Sequence, residues 1–386
     1  MKADIIVGIP SYKESETIGF VTKQVDRGLL KFFPNKKCLI VNVDNDSPDG
    51  TKNAFLGVKT KTPKIYISTP RGVKGKGRNF HNLFKLVEKV NASKVMVVDA
   101  DLKSITPEWV DCFLSPICKQ KMDFVFPYYN RHPYDGTITN HICYPLIYGL
   151  LGKDIRQPIG GDFSFSPRLG RYWLKRRWNE QIKNYGIDIF MTLNAVLGDF
   201  KIGRADLGAK IHKPSAPKLD LMFSQVVYTI FKILLNNKKA WRKKMEKPPR
   251  ISSSSCAKPK TKADPPAPAG IKLSAIKKTS CGLFEKNKKT LKKQLKKETY
   301  QKLEEMYGKE KIFIDSEFWA EIVYEMLDRF EKTRFKSELI EALKPLYFGR
   351  VFSFIKETRS LPFKKTEELI KKQAVIFFKK RSYFFP

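Results

Sequence analysis

Two aspartates separated by one residue, Asp99 and Asp101, directly follow a short apolar run at residues 94–98. Paired carboxylates at this spacing can hold a hard divalent cation such as Mg²⁺ or Mn²⁺, whose remaining positions are often filled by substrate phosphates. A solvated turn after a strand gives the same pattern. The position at a strand end favours the metal-binding interpretation, because ligands of α/β proteins bind where the strands end.

Polar side chains also follow two earlier apolar runs, residues 4–9 and residues 38–43. Hydroxyl, amide and carboxylate groups at strand ends can bind the base or ribose of a nucleotide through hydrogen bonds. The same residue types favour ordinary turns and helix caps, so each segment alone leaves both interpretations open. The candidates at these two ends are Pro10, Ser11, Tyr12, Glu14, Asp44, Asp46 and Ser47.

A glycine-rich basic segment at residues 72–79 precedes a predicted helix and contains Gly75-Lys76-Gly77. Glycines let the backbone approach a ligand closely, and Lys76 and Arg78 could face a phosphate near the helix N-terminus. The spacing of a Walker loop is absent. A flexible basic loop is the alternative interpretation.

Two more segments place a carboxylate shortly after glycine, Gly160-Gly161-Asp162 and Gly186-Ile187-Asp188. Either acid could lie near a reacting hydroxyl, and a turn with a helix cap would look the same. His212 is one of four histidines, and a lone histidine is more often structural than a metal ligand. A Ser-His-Asp order, a GxSxG elbow and a cysteine in a nucleophile motif are all absent from the sequence.

The elements that must position these residues alternate between strand and helix over the first 210 residues. Helical periodicity is clearest at residues 14–33 and 79–90. This alternation predicts an α/β fold with a mostly parallel, Rossmann-like sheet covered by helices. The predicted strands lie at residues 4–10, 38–44, 64–68, 94–98 and 122–127.

The remainder of the chain has a different composition, and four segments are expected. Residues 1–213 are predicted to form the α/β domain, and residues 214–247 a basic helical extension. A low-complexity insertion or linker rich in Pro, Ser, Ala and Lys is expected at residues 248–282, followed by a helical C-terminal region at residues 283–386.

The chain of 386 residues carries 74 Lys and Arg against 39 Asp and Glu, for a formal charge of +35. Residues 236–300 contribute +16 of this charge. Such a balance suits anionic ligands, whether nucleotide phosphates, nucleic acid or lipid. The six scattered cysteines argue against a disulfide scaffold. The apolar stretch at residues 219–235 contains polar residues, so no membrane span is expected and a cytoplasmic location is predicted.

Taken in order over residues 4–235, these segments resemble GT-A-fold glycosyltransferases. More narrowly, they resemble the retaining glucosyl-3-phosphoglycerate synthase and glucosylglycerate synthase family. The segments that carry the resemblance are Pro10…Glu14, Asp44-Asn45-Asp46-Ser47, Gly75-Lys76-Gly77, Asp99-Ala100-Asp101, Gly136-Thr137-Ile138-Thr139, Pro158-Ile159-Gly160-Gly161-Asp162, Asp188 and His212.

The resemblance implies a nucleotide-sugar-binding GT-A domain that takes NDP-glucose and requires Mg²⁺ or Mn²⁺. It implies that Asp101 and His212 hold the metal, and that Asp188, Asp162 and Lys76 are catalytic. The implied acceptor-binding residues are Gly136, Thr137, Thr139, Gly161, Asp188 and Lys210. The implied donor-binding residues are Pro10, Ser11, Tyr12, Glu14, Asp44, Asp46, Ser47, Gly75, Lys76, Asp99, Ala100 and Asp101.

The sequence departs from the family pattern at two acceptor positions, where Thr137 replaces an arginine and Pro214 replaces an asparagine. Arginine binds phosphate with a fork of two donors, so the acceptor is expected to be either D-glycerate or 3-phosphoglycerate. Basic residues that could compensate are Arg131, Arg156, Lys210 and Lys213.

Several alternatives stay open for the activity and the partners. A mannosylglycerate-type synthase and a transferase acting on polyprenyl phosphate at a membrane surface are the alternative activities. Peripheral membrane contact is not favoured, and specific nucleic-acid binding is not expected because aromatics are sparse in residues 236–300. The C-terminal amphipathic helices could form a homodimer surface.

Overall fold

The computed structural model describes residues 2–213, 218–241 and 272–384. These residues divide into two compact units. The first unit contains residues 2–131 and 157–213, and the second contains residues 132–156 together with the described residues from 218 onward. Residues 132–156 therefore separate from the α/β domain, which differs from the single boundary expected at residue 213.

A seven-stranded sheet forms the centre of the first unit, in the order β3-β2-β1-β4-β6-β5-β7. All strand pairs are parallel except those of β6, which runs antiparallel to β4 and β5. The strands are β1 (Ile5–Ser11), β2 (Cys38–Asp44), β3 (Lys64–Ser68), β4 (Lys94–Val97), β5 (Phe124–Asn130), β6 (Phe163–Phe165) and β7 (Ile202–Ala209). The predicted mostly parallel α/β sheet is confirmed.

Helices cover this sheet because their apolar faces pack onto its buried strands. One hydrophobic cluster of this unit contains Val21, Val25 and Leu29 of the first helix with Trp109 and Phe113 of the fourth. The helices of this unit are α1 (Ile18–Phe32), α2 (Thr51–Gly57), α3 (Lys76–Val90), α4 (Pro107–Lys119), α6 (Pro167–Leu174) and α7 (Ile187–Leu197).

The strand register brings the polar strand ends to one edge of the sheet. Ser11 of β1 lies opposite Asp44 of β2, and Asp44 lies opposite Ser68 of β3. Because β6 is antiparallel, its first residue, Phe163, lies opposite Val97 at the end of β4. Residues that precede β6 therefore meet residues that follow β4, at the same edge.

The second unit is helical, which confirms the predicted helical C-terminal region. Its helices are a π-helical turn (Thr139–Cys143), α5 (Tyr144–Leu151), α8 (Leu219–Asn236), α9 (Lys238–Trp241), α10 (Leu273–Gln294), α11 (Lys297–Gly308), α12 (Ser316–Lys332), α13 (Lys336–Thr358) and α14 (Phe363–Phe384). The low-complexity segment expected at residues 248–282 is corrected at its end, because α10 begins at Leu273. Residues 248–271 lie outside the described part.

Among the described residues, α8 is the one helix long and apolar enough to cross a membrane by length and composition. One face of α8 is nevertheless buried within its own unit. Phe223 packs on Tyr347 at a ring-centroid distance of 4.5 Å, and Phe231 packs on Phe330 at 5.6 Å. These contacts are those of a core helix in a helical bundle.

Candidate active site

A cluster of three carboxylates and two lysines lies at the polar edge of the sheet. Lys76 at the start of α3 places its Nζ atom 3.1 Å from Oδ1 of Asp99 and 3.1 Å from Oδ2 of Asp188. Lys210, which follows β7, places its Nζ atom 3.2 Å from Oδ2 of Asp99 and 2.9 Å from Oδ2 of Asp162. Asp99 therefore bridges the two lysines, and the structure brings Lys76, Asp99 and Asp188 together as the predicted site requires.

Asp188 differs from the other members of the cluster in one respect. Its Oδ2 atom accepts a hydrogen bond from Lys76, whereas its Oδ1 atom is buried and has no hydrogen-bond partner among the described residues. An unsatisfied buried carboxylate oxygen is costly. This oxygen is the one carboxylate acceptor of the cluster that lacks a donor among the described residues.

Asp162 and Lys210 form the inner side of the cluster. The Asp162 side chain is completely buried and accepts hydrogen bonds from the Tyr129 hydroxyl, the Asp99 amide and Lys210. The Lys210 ammonium donates to Asp99, Asp162 and the Gly160 carbonyl, which uses all three of its protons. Asp162 and Lys210 are therefore engaged in contacts inside the cluster, and the predicted catalytic role of Asp162 and the predicted acceptor role of Lys210 stay predictions.

Charge coupling sets the protonation of the cluster. Burial alone would raise the pKa of Asp99, but Lys76 and Lys210 hold it well below the usual range of an aspartate. Burial alone would lower the pKa of Lys76, but Asp188 and Asp99 raise it well above its ordinary value. Burial raises the pKa of Asp162 and of Asp188, although lysines oppose the rise in both. Lys76 therefore stays cationic and Asp99 stays anionic.

The two glycines around Lys76 are required by backbone packing. A Cβ atom on Gly77 would lie 1.9 Å from the Ile182 carbonyl oxygen, and one on Gly75 would lie 2.3 Å from the Lys183 carbonyl oxygen. Gly77 and Arg78 donate their amides to the carbonyls of Asn184 and Lys183. The Gly77 and Arg78 amides are thus already bonded, so a phosphate at this helix N-terminus would be held by the Lys76 and Arg78 side chains, and the donor roles of Gly75 and Lys76 stay predictions.

Gly161 makes a similar close approach to Asp99. Its φ is +88°, and a Cβ atom there would lie 2.0 Å from Oδ2 of Asp99. Glycine at this position therefore lets the loop before β6 lie against the Asp99 carboxylate. The acceptor role predicted for Gly161 stays a prediction.

The ends of β1 and β2 are joined by a buried hydrogen-bond network. Both oxygens of Asp44 are occupied: Oδ1 accepts from the hydroxyls of Ser11 and Ser47, and Oδ2 accepts from the Ser47 amide and the Tyr66 hydroxyl. Asp44 therefore holds this loop together. Its predicted contact with a donor would require one of these bonds to break.

Two asparagines that sequence reasoning missed extend this network to the Gly75 loop. The Asn45 side-chain amide donates to Asn79 at 2.6 Å, and its oxygen accepts from the Gly75 amide at 2.9 Å. Asn79 in turn donates to the Ser11 carbonyl at 3.1 Å. Asn45 lies within the polar segment Asp44–Ser47, so its side-chain amide was the feature of the sequence that could have predicted this hydrogen bonding.

The other predicted donor residues occupy different environments along the same edge. Tyr12 is half-buried, with the Lys74 ammonium 4.9 Å from its ring centroid. Glu14 is buried and lies 3.0 Å from the Lys213 ammonium. Pro10 and Ala100 are buried, and Asp46 is exposed with φ of +53°. Of this group, Asp46 is the exposed residue and Tyr12 is partly accessible.

The two predicted metal ligands lie beside each other. Nδ1 of His212 is 4.0 Å from Oδ2 of Asp101, and Nε2 of His212 is 3.4 Å from a guanidinium nitrogen of Arg131. Adjacent ligands of one octahedral Mg²⁺ ion, each at about 2.1 Å, are about 3.0 Å apart, so these two side chains would need to approach each other by about 1 Å to share an ion. Among the described residues, groups of three or more His, Cys, Asp or Glu that could hold a metal are absent. A metal here would therefore need oxygens from a substrate.

The predicted acceptor loop lies in the second unit. Thr137 and Thr139 are buried, and the Thr137 hydroxyl is 2.5 Å from the Tyr347 hydroxyl. Arg156, one of the basic residues that could compensate for a missing arginine, makes two 2.8 Å hydrogen bonds to Glu367. Within this unit, Thr137 and Arg156 are therefore engaged in internal contacts. The acceptor roles of Gly136, Thr137 and Thr139 stay predictions.

Comparison with known proteins gives one family match. The model described as glycosyl transferase family 2 matches residues 6–177, which include β2 to β6 and all of β1 except Ile5. None of the curated proteins matches the chain significantly.

Several solved structures are similar. One is glucosyl-3-phosphoglycerate synthase from Mycobacterium tuberculosis in complex with Mn²⁺, UDP and phosphoglyceric acid; it is 20% identical with a TM-score of 0.48, over 60% of this chain and 78% of that chain. The same enzyme with Mn²⁺, UDP-glucose and phosphoglyceric acid is 19% identical with a TM-score of 0.48, over 60% and 79%. A structure described as a mycobacterial protein is 23% identical with a TM-score of 0.48, over 60% and 74%.

Proposed function

Residues 6–177 form a family 2 glycosyltransferase domain and the protein is a glycosyltransferase; from this premise we propose that it transfers glucose from a nucleoside diphosphate sugar to D-glycerate. The anomeric configuration of the sugar is retained. 3-Phosphoglycerate is the closest alternative acceptor.

The buried Oδ1 atom of Asp188 is the observation that carries this proposal. A carboxylate with one oxygen held by Lys76 and the other unsatisfied suits a ligand that brings a hydroxyl group. A sugar offers such hydroxyls, so Asp188 would accept a hydrogen bond from the transferred glucose. Asp99 is paired with both lysines and would hold Lys76 in position, and Lys76 in turn would hold Asp188.

The diphosphate of the donor would meet the positive side of the site. The Lys76 ammonium stays charged and would stabilise negative charge that grows on the departing diphosphate. Asp101 and His212 would hold Mg²⁺ or Mn²⁺ together with diphosphate oxygens, and the bound ion would supply Lewis-acid stabilisation of the same charge.

The reaction exchanges one bond at the anomeric carbon for another. The bond from this carbon to the diphosphate oxygen breaks, and its electron pair leaves with the diphosphate. The acceptor hydroxyl oxygen forms the new bond on the same face of the sugar, and its proton passes to the leaving phosphate. The sugar is oxocarbenium-like between the two, as in glycoside hydrolysis.

The basic residues that could bind an acceptor phosphate already contact other side chains, and these contacts favour an acceptor without a phosphate. Arg156 binds Glu367 with both nitrogens, and all three protons of Lys210 are used inside the cluster. Lys213 lies 3.0 Å from Glu14, and Arg131 contacts His212. Because recognition of a phosphate needs an arginine or lysine that can turn toward it, D-glycerate is the better candidate.

A polyprenyl phosphate is the second candidate acceptor. The length and apolar composition of α8 are the observations that favour it. The packing of Phe223 and Phe231 inside the second unit counts against a role of α8 in a membrane.

A panel of donors and acceptors tests the proposal. UDP-, GDP- and ADP-linked glucose and mannose are combined with D-glycerate, 3-phosphoglycerate or polyprenyl phosphate, with and without Mg²⁺, and the released nucleotide is measured. We expect metal-dependent release with glucose donors and glycerate, and an α-linked product by NMR from an α-linked donor. Asp101→Asn should abolish the metal-dependent rate, with Glu108→Gln, which changes a carboxylate paired with Lys31 in the first turn of α4, as the control. Release with none of the acceptors would overturn the proposed substrates.

A further inference from the structure

The outer face of α10 carries a row of lysines without acidic partners. Lys278, Lys286, Lys289, Lys292 and Lys293 are all exposed, and salt bridges to them are absent among the described residues. At 100° per residue, positions 278, 286, 289 and 293 fall within an arc of about 80° and extend over about 22 Å. Exposed Glu285 lies between the directions of Lys292 and Lys278, so the face is narrow and predominantly positive.

Internal contacts fix the direction in which this face points. Ser280 and Phe284, on the opposite side of α10, are buried. The Ser280 hydroxyl donates to the Pro345 carbonyl at 2.8 Å, and the Phe284 ring stacks on Tyr307 with centroids 3.9 Å apart. The lysine row is thus held outward by the packing of the helix, which distinguishes it from a mobile basic tail.

Two exposed phenylalanines each follow, within about six residues, a side chain that contacts one end of this helix. Phe313 is 47% exposed and follows Glu310, which pairs with Lys277 near the start of α10. Phe335 is 50% exposed and follows α12, whose Arg329 donates to the Gln294 carbonyl at the end of α10. Basic helices with exposed aromatic side chains are typical of proteins that lie on anionic membranes.

We propose that the lysine row of α10, with Phe313 and Phe335, is a docking surface for an anionic lipid bilayer. The lysines bind the headgroups and the phenylalanines enter the interface. Nucleic acid is the less suitable polyanion, because the exposed positions between the lysines, such as Ala275 and Gly282, offer no aromatic ring for base stacking. This inference is independent of the acceptor proposed above.

Vesicle co-sedimentation of the full chain tests this surface. Vesicles of phosphatidylcholine alone are compared with vesicles that also contain phosphatidylglycerol, at low and high salt, and binding to single-stranded RNA is measured in parallel. We expect binding to the anionic vesicles alone, lost at high salt. Each lysine contact contributes about fivefold, so replacing all five by glutamine should weaken this binding by about a thousandfold or more.

A matched variant controls for the change in total charge. It replaces five exposed lysines of the first unit, Lys59, Lys85, Lys89, Lys119 and Lys121, by glutamine and should keep the binding. The double variant Phe313→Ser and Phe335→Ser should weaken vesicle binding severalfold without changing the salt dependence. Equal loss in both lysine variants, binding to RNA in place of vesicles, or no vesicle binding at all would overturn the proposal. Circular dichroism confirms that each variant keeps its helices.

Discussion

Replacing Gly161 by alanine should disrupt the active site from a position that holds no functional group. The new Cβ atom would lie 2.0 Å from Oδ2 of Asp99, so the carboxylate must move by at least about 1 Å. That oxygen accepts a hydrogen bond from Lys210 at 3.2 Å, and the movement would break or weaken it. Through Asp99 the displacement reaches Lys76, whose ammonium faces both Asp99 and Asp188.

The magnitude of this effect can be separated into two parts. An alanine at φ of +88° costs about 1 kcal/mol on backbone grounds alone. Losing a hydrogen bond between charged groups adds about 2 kcal/mol, for a total of about 3 kcal/mol of unfolding free energy. Displacement of catalytic groups by about 1 Å can lower the rate of transfer by about a hundredfold.

Gly50 offers a matched control for the backbone part. Its φ is +82°, and a Cβ atom there would have no neighbour within 4 Å. Gly50→Ala should therefore cost about 1 kcal/mol and leave turnover intact. Urea unfolding followed by tryptophan fluorescence gives the stability, and nucleotide release gives the rate. If Gly161→Ala matched Gly50→Ala in both measurements, the close approach of Gly161 to Asp99 would contribute to neither stability nor turnover.

Two further perturbations test other parts of the structure. Lys76→Met leaves Asp99 and Asp188 without the cation that they share. It should lower the free energy of unfolding by about 3 kcal/mol and kcat by about 10²–10³-fold. An unchanged kcat would exclude Lys76 from the reaction. Burial and Arg350 hold the pKa of His141 well below its ordinary value, so the folded chain resists protonation there. Stability should therefore fall as the pH drops below about 6.5, by up to about 1.4 kcal/mol per pH unit, and His141→Gln should remove this part of the slope in urea titrations at several pH values.

The sequence predicted the polar residues at the strand ends well, because each of them directly follows a short apolar run that is visible locally. Apolar runs followed by Ser11, Asp44 and Asp99 indicated parallel strands with polar ends, and the register brings those ends together. Lys76 and Asp188 are 112 residues apart, yet each stands in a short glycine-containing segment that local pattern can detect. The family match confirmed the glycosyltransferase interpretation that the order of these segments supported.

The inner side of the cluster could not be predicted from local pattern. Tyr129 stands inside a strand, and nothing in its neighbours indicates a bond to Asp162. The protons of Lys210 are used by groups around residues 99 and 160–162, so its role depends on contacts distant in the chain. The composition of residues 273–282 also gave a wrong prediction. This lysine-rich segment was expected to belong to a linker, but it forms the first part of α10 and packs through Ser280. The predicted cytoplasmic location and homodimer stay predictions.

The most direct test of the central claim is the separation of nucleotide binding from sugar transfer in Asp188→Asn. Calorimetry with Mg²⁺ should show that the variant binds the free nucleoside diphosphate as the wild type does, because in the proposed arrangement Asp188 contacts only the sugar, whereas Asp101 and His212 hold the metal that binds the diphosphate. Transfer from the matching sugar nucleotide should fall by at least about a hundredfold. Transfer at the wild-type rate would contradict the account, since the unsatisfied oxygen of Asp188 would then hold no part of the donor.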